Sequence, residues 1–451
     1  MSQLSARVVW LLSMGLVNST GPGRIRWRIF ALLFLFPMLT FTQRTSINVA
    51  GVKLMPLFHL SQMQLGWMMW AYIVSYTALQ IPAGIFGERV GARVAFIVMG
   101  VVSFLATIAT PLLPVVLSGS ALFIGWVLVQ VVLGASHSAV SPVTAGVFEA
   151  WFPPRQWGIV NGLSCSGPDL GIALTPILIV ALTESFGWQG ALLWVALPTA
   201  LLTIIWGWYV RDRPREHPSV TSAELAELGS VATEAKPRLT LHRFLKILRN
   251  RNILLLSLSY FCMNYALFLL MNWSFLYLAQ ERHMSSLKGG ALAAIPPIGA
   301  AIGAWLGGTA ADRFASRHGA RWGYRIVPLI TLPLVGALLL LVMRAPNAYL
   351  AVAALTFAFA GVESNEASYW AANMSIARAD TMAAGGVLNT WGNLGGVVGI
   401  PIVAWLTGHG NWSGAFAVGT FFAIAAASLW LLISADQKLQ ADALSSSAVG
   451  A

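Results

Sequence analysis

Charge is scarce in this chain of 451 residues: only 10% of them are Asp, Glu, Lys or Arg, against about 25% in soluble domains. Hydrophobic residues make up 57% of the sequence, and the mean hydropathy is +0.73. This composition excludes an ordinary soluble protein and predicts an all-α integral membrane protein. The chain has two cysteines, Cys165 and Cys262, both within apolar runs, so we expect free packing thiols and no disulfide.

Motifs of catalysis and nucleotide binding are also missing. The sequence contains no phosphate loop, no HExxH, no CxxC and no nucleophile elbow. We therefore expect no enzyme activity, no metal site and no cofactor, and ATP-driven transport by this chain alone is excluded. The net charge of +11 does not indicate nucleic-acid binding, because the basic residues follow a membrane pattern.

Apolar runs long enough to cross a bilayer occur twelve times, and a polar, basic stretch divides them into six and six. We expect an N-terminal extension (1–27), a first six-helix bundle (28–210), a linker (211–251), a second bundle (252–434) and a tail (435–451). The apolar run after Arg7 is too short to span and lacks a clean cleavage site, which favours an uncleaved extension. The predicted spans are 28–55, 64–86, 94–117, 120–148, 158–182, 190–210, 252–279, 287–311, 326–343, 348–375, 382–407 and 412–434.

Lysine and arginine residues predict the orientation. If the N-terminus is cytoplasmic, 22 of the 27 fall in cytoplasmic segments, one (Arg44) lies within a span, and four (Lys53, Arg282, Lys288 and Arg344) lie outside. This bias predicts that both termini and the linker are cytoplasmic. The protein is thus expected to be a multi-pass protein of the cell (inner or plasma) membrane, in contact with the lipid bilayer.

The two halves repeat a loop motif. "GIFGERVGAR" follows the second span and "GTAADRFASRHGAR" follows the eighth, with Gly84 and Gly308 224 residues apart. Repeated halves are typical of secondary transporters. The motif and the six-plus-six plan resemble the major facilitator superfamily. Shorter segments resemble its anion:cation symporter family, which carries sugar acids and other organic anions: "YTALQIPAG", "RDRPREHPSVTSAEL", "MNWSFLYLAQERHMSSLKGG" and "GGVLNTWGNLGG".

Arg44 lies in the middle of the first apolar run with no acid near it in sequence. Ionisable residues inside a membrane are expensive and are read as functional by default. A guanidinium group binds a carboxylate through two parallel hydrogen bonds, which favours a substrate clamp. The family resemblance implies the same role, since its members carry a substrate-contacting arginine here. The alternative is a structural arginine, bonded to helix carbonyls or paired with a distant acid such as Asp169.

Two acids to which proton coupling is assigned in the resembled family are missing. Gln43 stands where many members have an aspartate, and His137, in "GASHSAVSP", stands where many have a glutamate. Four other residues are candidates for proton coupling in place of the two family acids: His137 itself, Asp169, Glu363 and Glu366. Histidine titrates near neutrality, and burial can tune a carboxyl group into the working range. The alternative for each is a structural role at a helix interface.

Amide and aromatic residues complete the predicted substrate site. Asn389 and Asn393 lie one turn apart on a glycine-rich helix, and an amide offers both a donor and an acceptor to substrate hydroxyl groups. Helix–helix contact among small residues is the alternative. The resemblance also implies that Tyr76 and Trp273 line the cavity, although an aromatic residue within a span more often packs.

The repeated loop motif predicts a cytoplasmic gate rather than a binding site. Its charged residues can pair with one another and with helix ends when the transporter opens outward; a solvated basic loop is the alternative. These residues are Glu88, Arg89, Arg93, Asp312, Arg313 and Arg321.

Together these features predict a monomeric secondary transporter that takes up a small organic anion, such as a sugar acid, with protons. Three rivals stay open. The loss of the two acids favours proton-independent exchange or uniport. A proton-coupled efflux antiporter is the second, although only G-P-x-x-G (Gly167, Pro168 and Gly171) of the longer drug-antiporter signature is present. A transport-inactive sensor on the same fold is the third.

Overall fold

The computed structural model of the protein describes residues 24–60, 62–228, 239–282, 295–437 and 439. The N-terminal extension before residue 24, positions 287–294 of one predicted span and nearly all of the tail lie outside these residues. The described part is helical, with α1 (Arg24–Phe58), α2 (Gln62–Ala78), α3 (Gln80–Val90), α4 (Ala92–Val116), α5 (Gly119–His137), α6 (Val140–Trp151), α7 (Trp157–Tyr209), α8 (Ser222–Leu228), α9 (Leu241–Arg249), α10 (Arg251–Gln280), α11 (Ile295–Arg344), α12 (Ala348–Glu363), α13 (Glu366–Ala377), α14 (Thr381–Gly408) and α15 (Trp412–Trp430).

Eight helical stretches within the described residues are long and apolar enough to cross a membrane. Two of these stretches are 50 and 60 residues long, whereas a single membrane crossing needs about 20 residues. Helices α7 and α11 each contain a kink at which two helices meet, at Gly187 (φ 71°) and Gly319 (φ 75°). Only glycine adopts this left-handed backbone conformation readily, so both turns fall on glycine.

Three predicted spans are interrupted, which corrects the expectation of continuous helices over 64–86, 120–148 and 348–375. The breaks follow Ala78, His137 and Glu363. Proline explains the first two breaks. A proline has no N–H to donate to the carbonyl four residues before it, and its ring clashes with that carbonyl. Pro82 lies four residues after Ala78, and Pro142 lies four residues after Ser138. At the third break, the Ser364 side chain donates to the carbonyl of Gly361 and competes with the helix.

The linker between the halves is more ordered than the predicted polar loop. It contains helices α8 and α9, and both are tied to the ends of long helices. Glu227 of α8 accepts from Arg26 at 3.0 Å and from Arg155 at 2.6 Å. Arg243 of α9 donates to Asp380 at 2.8 Å, just before α14. Each end of the linker is therefore bound to its own half of the chain.

Helices pack mainly within each half, as α1 does on α7, and α11 on α12. The halves meet in two regions: α3 and α6 pack on α14, and the beginning of α7 packs on α11 and on α13. The residues after the breaks, in α6 and α13, approach these contacts from both sides. The interrupted helices therefore border the contact between the halves.

Candidate functional site

Arg44 is half-buried on α1, and its guanidinium carbon lies over two aromatic rings. The distance to the ring centre is 5.2 Å for Tyr72 and 5.3 Å for Phe41. A ring face attracts a cation but cannot neutralise it as a carboxylate would. The edges of the guanidinium group thus keep their hydrogen-bonding capacity for an anion.

A small cavity that is open to solvent lies beside this arginine. It is lined by Arg44, Ile47, Met69, Tyr72, Ile73 and Gln130. Arg44 is the charged group in this lining, and the Gln130 amide adds both a donor and an acceptor. A cationic fork and an amide on a largely apolar wall suit a small anion.

Gln43 and His137, at the two positions where the resembled family has acids, meet in one buried hydrogen-bond network. Tyr72 Oη lies 2.9 Å from His137 Nδ1, and Nε2 lies 2.9 Å from Ser103 Oγ and 3.1 Å from Gln43 Oε1. Because an amide oxygen only accepts, Nε2 carries the ring proton and Nδ1 accepts from Tyr72. Gln43 Nε2 donates to Thr199 at 3.0 Å. A neutral imidazole thus uses both of its nitrogens.

The three carboxyl groups predicted for coupling form a second cluster, between α7 and the α12–α13 break. Glu363 and Glu366 are 9% and 7% exposed, and Tyr260 donates to Glu366 Oε2 at 2.8 Å. Asp169 and Glu366 both lie close enough to Glu363 for the ionised carboxylates to repel one another. Asp169 Oδ2 is buried and has no hydrogen-bond partner among the described residues. Three like charges in so small a region repel one another unless some carry a proton.

Arg44 and these three acids do not pair. The ion pairs found within the described residues join Arg26 and Arg155 to Glu227, Arg213 to Glu216 and Arg243 to Asp380. The alternative in which Arg44 is the counter-ion of Asp169 thus has no contact to support it. The structure instead separates a cationic cluster on α1, α2 and α5 from an acidic cluster on α7, α12 and α13.

The predicted amides and aromatics of the substrate site make mostly local contacts. Asn393 Nδ2 donates to the carbonyl of Asn389 at 2.8 Å, and the Asn389 side-chain nitrogen is buried without a partner in the described part of the chain. Tyr76 stacks on Tyr72 with ring centres 6.0 Å apart. Trp273 packs edge-on to Trp412 at 6.5 Å. Tyr76 therefore belongs to the Arg44 cluster, and Trp273 lies apart from it.

The two acids of the loop motif make matching contacts across the halves. Glu88 Oε1 accepts from the backbone N–H of Met382 at 2.6 Å. Asp312 accepts from the N–H groups of Gly158 and Ile159, each at 2.7 Å. The donor N–H groups belong to the first turn of a helix in the other half, where N–H groups lack helical partners and a negative charge is favoured. The acids are 224 residues apart, as are Gly158 and Met382, so the contacts obey the sequence repeat.

The arginines of the predicted gate differ in their contacts. Arg93 donates from Nε to the carbonyl of Gly207 at 2.9 Å, within its own half. Arg89, Arg313 and Arg321 are exposed. The counterpart of Arg93 in the second half is Arg325, one turn beyond Arg321, which donates from Nε to the carbonyl of Ile433 at 2.6 Å.

Sequence reasoning missed several residues that complete the clusters: Tyr72, Ser103, Gln130, Thr199, Tyr260 and Arg325. All are polar or charged residues, and most lie inside apolar runs. That placement was a usable signal, although it does not tell which of them meet.

Comparisons with known protein sequences agree with one another. The sequence model of the Major Facilitator Superfamily matches residues 33–384. A D-galactonate transporter of Escherichia coli is 26% identical over 437 residues, which covers 94% of this chain and 98% of that protein. A probable sulfoacetate transporter of Cupriavidus necator is 26% identical, covering 84% of this chain and 86% of that protein. A probable galactarate/D-glucarate transporter of Bacillus subtilis is 24% identical, with coverages of 91% and 92%.

Solved structures show the same fold. A proton:xylose symporter with bound 6-bromo-6-deoxy-D-glucose superposes with a TM-score of 0.74 at 14% identity, covering 93% of this chain and 99% of that one. The Escherichia coli fucose:proton symporter superposes with a TM-score of 0.68 at 15% identity, covering 91% of this chain and 100% of that one.

Proposed function

This chain belongs to the Major Facilitator Superfamily, and we propose that it takes up a small organic anion by alternating access. It is a multi-pass protein of the cell membrane and a transporter rather than an enzyme. The observation that carries the proposal is Arg44. It is a cation within a membrane span, has no acidic partner among the described residues, and lines a cavity with an amide beside it.

The architecture that we propose has twelve spans, in bundles formed by residues 28–210 and 252–434, with both termini cytoplasmic. The kinks in α7 and α11 divide each of these helices into two crossings. The lysine and arginine bias supports the orientation, which puts the Glu88 and Asp312 contacts at the cytoplasmic end. In that frame, the described conformation is closed to the cytoplasm.

The substrate that we propose is a hydroxylated carboxylate. Arg44 binds its carboxylate through the planar fork, and Gln130, Asn389 and Asn393 bind its hydroxyl groups. Three of the relatives reported above are named for sugar acids or for a sulfonated acid, which agrees with an anionic ligand. Tyr72 and Tyr76 form an aromatic wall on which a sugar chain can pack.

Protons are coupled, in this proposal, at Asp169, Glu363 and Glu366 rather than at His137. These acids lie at the contact between α7 and α13, where the halves meet, so their charge bears on whether the halves stay together. Protonation relieves their mutual repulsion and favours the described conformation. His137 has both ring nitrogens engaged and lies in the other cluster, which suits a positioning role.

Proton-independent exchange is the second candidate, and one observation favours it. Gln43 and His137 form a neutral, closed network at the positions where the resembled family has acids. A transporter that lost the proton-coupling acids at these two positions, and gained no others, would exchange anions without moving protons. The acidic cluster between the halves is the reason that we prefer symport.

Proteoliposomes containing the purified protein test both versions. They are preloaded with D-galactonate, sulfoacetate or no anion, and counterflow of the same labelled anion is measured against protein-free liposomes. We expect counterflow of at least one of the two anions, and accumulation above equilibrium when an inward proton gradient is imposed. Counterflow without any gradient effect would move the assignment to exchange, and no flux of either anion would reject the transport proposal.

A further inference from the structure

Gln80 is a buried glutamine whose side chain makes no hydrogen bond within the described part of the chain. Its exposure is 0%, and neither Nε2 nor Oε1 has a hydrogen-bond partner among the described residues. Native proteins pair nearly all buried polar atoms, so an amide with both ends unpaired requires an explanation. It lies at the first position of α3, directly after the break in the second predicted span.

Two further amides have unpaired atoms beside the same stretch of α14. Asn373 Nδ2 donates to the carbonyl of Thr381 at 3.2 Å, but its Oδ1 is unpaired at 0% exposure, and Asn389 Nδ2 is unpaired at 7% exposure. Gly385 faces Asn373, and Gly386 faces the backbone of Gln80. Successive residues of an α-helix point about 100° apart around its axis. Asn389, one turn after Gly385, therefore points between the direction of Gly385 and that of Gly386.

These amides belong to opposite halves of the chain. Gln80 is in the first half, whereas Asn373 and Asn389 are in the second, and the contact between α3 and α14 brings them together. Separation of the halves at the loop-motif end opens that contact. The three amides would then face an aqueous passage, and their unpaired atoms could bind a ligand.

We infer that Gln80, Asn373 and Asn389 form a release subsite for the hydroxylated chain of the substrate, engaged when the halves separate at the loop-motif end. The unpaired atoms are two donors (Gln80 Nε2 and Asn389 Nδ2) and two acceptors (Gln80 Oε1 and Asn373 Oδ1). Hydroxyl groups both donate and accept, so a polyol chain satisfies all four. The inference rests on the proposed function and adds Gln80 and Asn373 to the residues that recognise substrate.

The subsite continues a row of amides that begins at Asn393. Asn393 donates to the carbonyl of Asn389, and Asn389 lies one turn closer to the loop motif. From there Gln80 and Asn373 continue toward Met382, whose backbone N–H is bound by Glu88. A substrate that moves from one amide to the next exchanges hydrogen bonds stepwise as it leaves.

Transport measured separately from each face tests this subsite. Gln80→Met and Asn373→Leu keep the side-chain volume and remove the amide. Michaelis constants for D-galactonate are measured in membrane vesicles that expose the loop-motif face and in vesicles of the opposite sidedness. Sulfoacetate, which has no hydroxyl groups, is measured in parallel. We expect each variant to raise KM for D-galactonate at least fivefold from the loop-motif face, to change it less than twofold from the other face, and to leave sulfoacetate unchanged.

Melting of the detergent-purified protein separates a ligand role from a structural one, and two other glutamines are matched controls. Gln43 is buried with both amide ends bonded, so Gln43→Met should lower the melting temperature. Gln189 is exposed at the turn between two crossings, so Gln189→Met should change nothing. Gln80→Met removes unpaired atoms, so it should melt at or above the unmodified temperature.

The results that would overturn the subsite differ from the result that would reject the proposed function. A clear fall in the melting temperature of Gln80→Met, KM values that rise equally from both faces, or an equal effect on sulfoacetate would each overturn the subsite. Transport of sulfoacetate but not of D-galactonate by the unmodified protein would reject the polyol subsite and leave anion transport standing. Only the absence of flux for both anions rejects the function itself.

Discussion

Replacement of Arg44 is the most direct perturbation of the proposed site. A bidentate carboxylate contact comprises two charge-assisted hydrogen bonds of about 1.5–3 kcal/mol each. Since 1.4 kcal/mol corresponds to a tenfold change in Kd, Arg44→Ala should weaken anion binding by about 100-fold or more. Arg44→Lys keeps the charge and loses the fork, so we expect it to weaken binding by about 10- to 100-fold.

The folded protein should tolerate both changes. Arg44 contacts the faces of Tyr72 and Phe41, and each such contact is worth about 0.5–1 kcal/mol. Removing the arginine loses these contacts but also removes a cation that no acid neutralises among the described residues. The two effects oppose each other, so the melting temperature without ligand should change little.

Anion-dependent thermal shift of the purified proteins is the assay, with D-galactonate and sulfoacetate titrated into Arg44→Ala, Arg44→Lys and the unmodified protein. Arg317→Ala is the control, because Arg317 is an exposed arginine at the end of a helix. Anion stabilisation that persists undiminished in both Arg44 variants would falsify the clamp. A large loss of stability without ligand would instead make Arg44 structural.

Three other predictions follow from the described contacts. Reporter fusions after Gly408 and after Asp436 should lie on opposite sides of the membrane, and a result on the same side would contradict the twelve-span arrangement. Asp169→Asn and Glu363→Gln should each abolish gradient-driven accumulation and spare counterflow; accumulation that survives in both would exclude these acids from coupling. The hydrogen bond from Arg26, with a further contribution from Arg155, lowers the pKa of Glu227 below its usual 4.5. Its stabilisation, less than about 1 kcal/mol for a partly exposed pair, is present above pH 4.5 and is lost as the pH falls through the lowered pKa. Glu227→Gln should accordingly melt lower at pH 7 and converge with the unmodified protein below pH 4.5, and a gap that is constant with pH would refute this.

The fold was predictable because its signals are long and repeated. Each signal involves many residues: the apolar runs, the excess of lysine and arginine in the predicted cytoplasmic segments, and the 224-residue offset between the halves. An atypical residue at one position therefore does not change the prediction. The helix breaks were less accessible. The prolines at 82 and 142 pointed to them, but proline is common in membrane helices and does not always interrupt one.

The sequence offered candidate site residues by type, but it did not indicate which of them are neighbours. Gln43 and His137 are 94 residues apart, and only the packing of α1 against other helices of the first half brings the two side chains to 3.1 Å. The loop repeat predicts Arg93 and Arg321 as gate residues of the two loops. The structure gives the corresponding contact to Arg325, one turn later, because contact depends on where a helix face points rather than on the register of the loop.

The Glu88 and Asp312 contacts have a consequence for how this sequence can diverge. Each carboxylate binds backbone N–H groups, which every residue except proline supplies. The hydrogen bond itself therefore sets no side-chain requirement on the donor, and within this chain glycine stands at 158 and methionine at 382, 224 residues apart. Space is a separate restriction, since a Cβ at position 158 would lie 2.6 Å from the carbonyl oxygen of Gly308. The acceptor must be a carboxylate, as Glu88 and Asp312 both are. Packing alone limits substitution on the donor side of this closure, whereas chemistry limits it on the acceptor side, so that the two halves can lose their resemblance while still closing on each other.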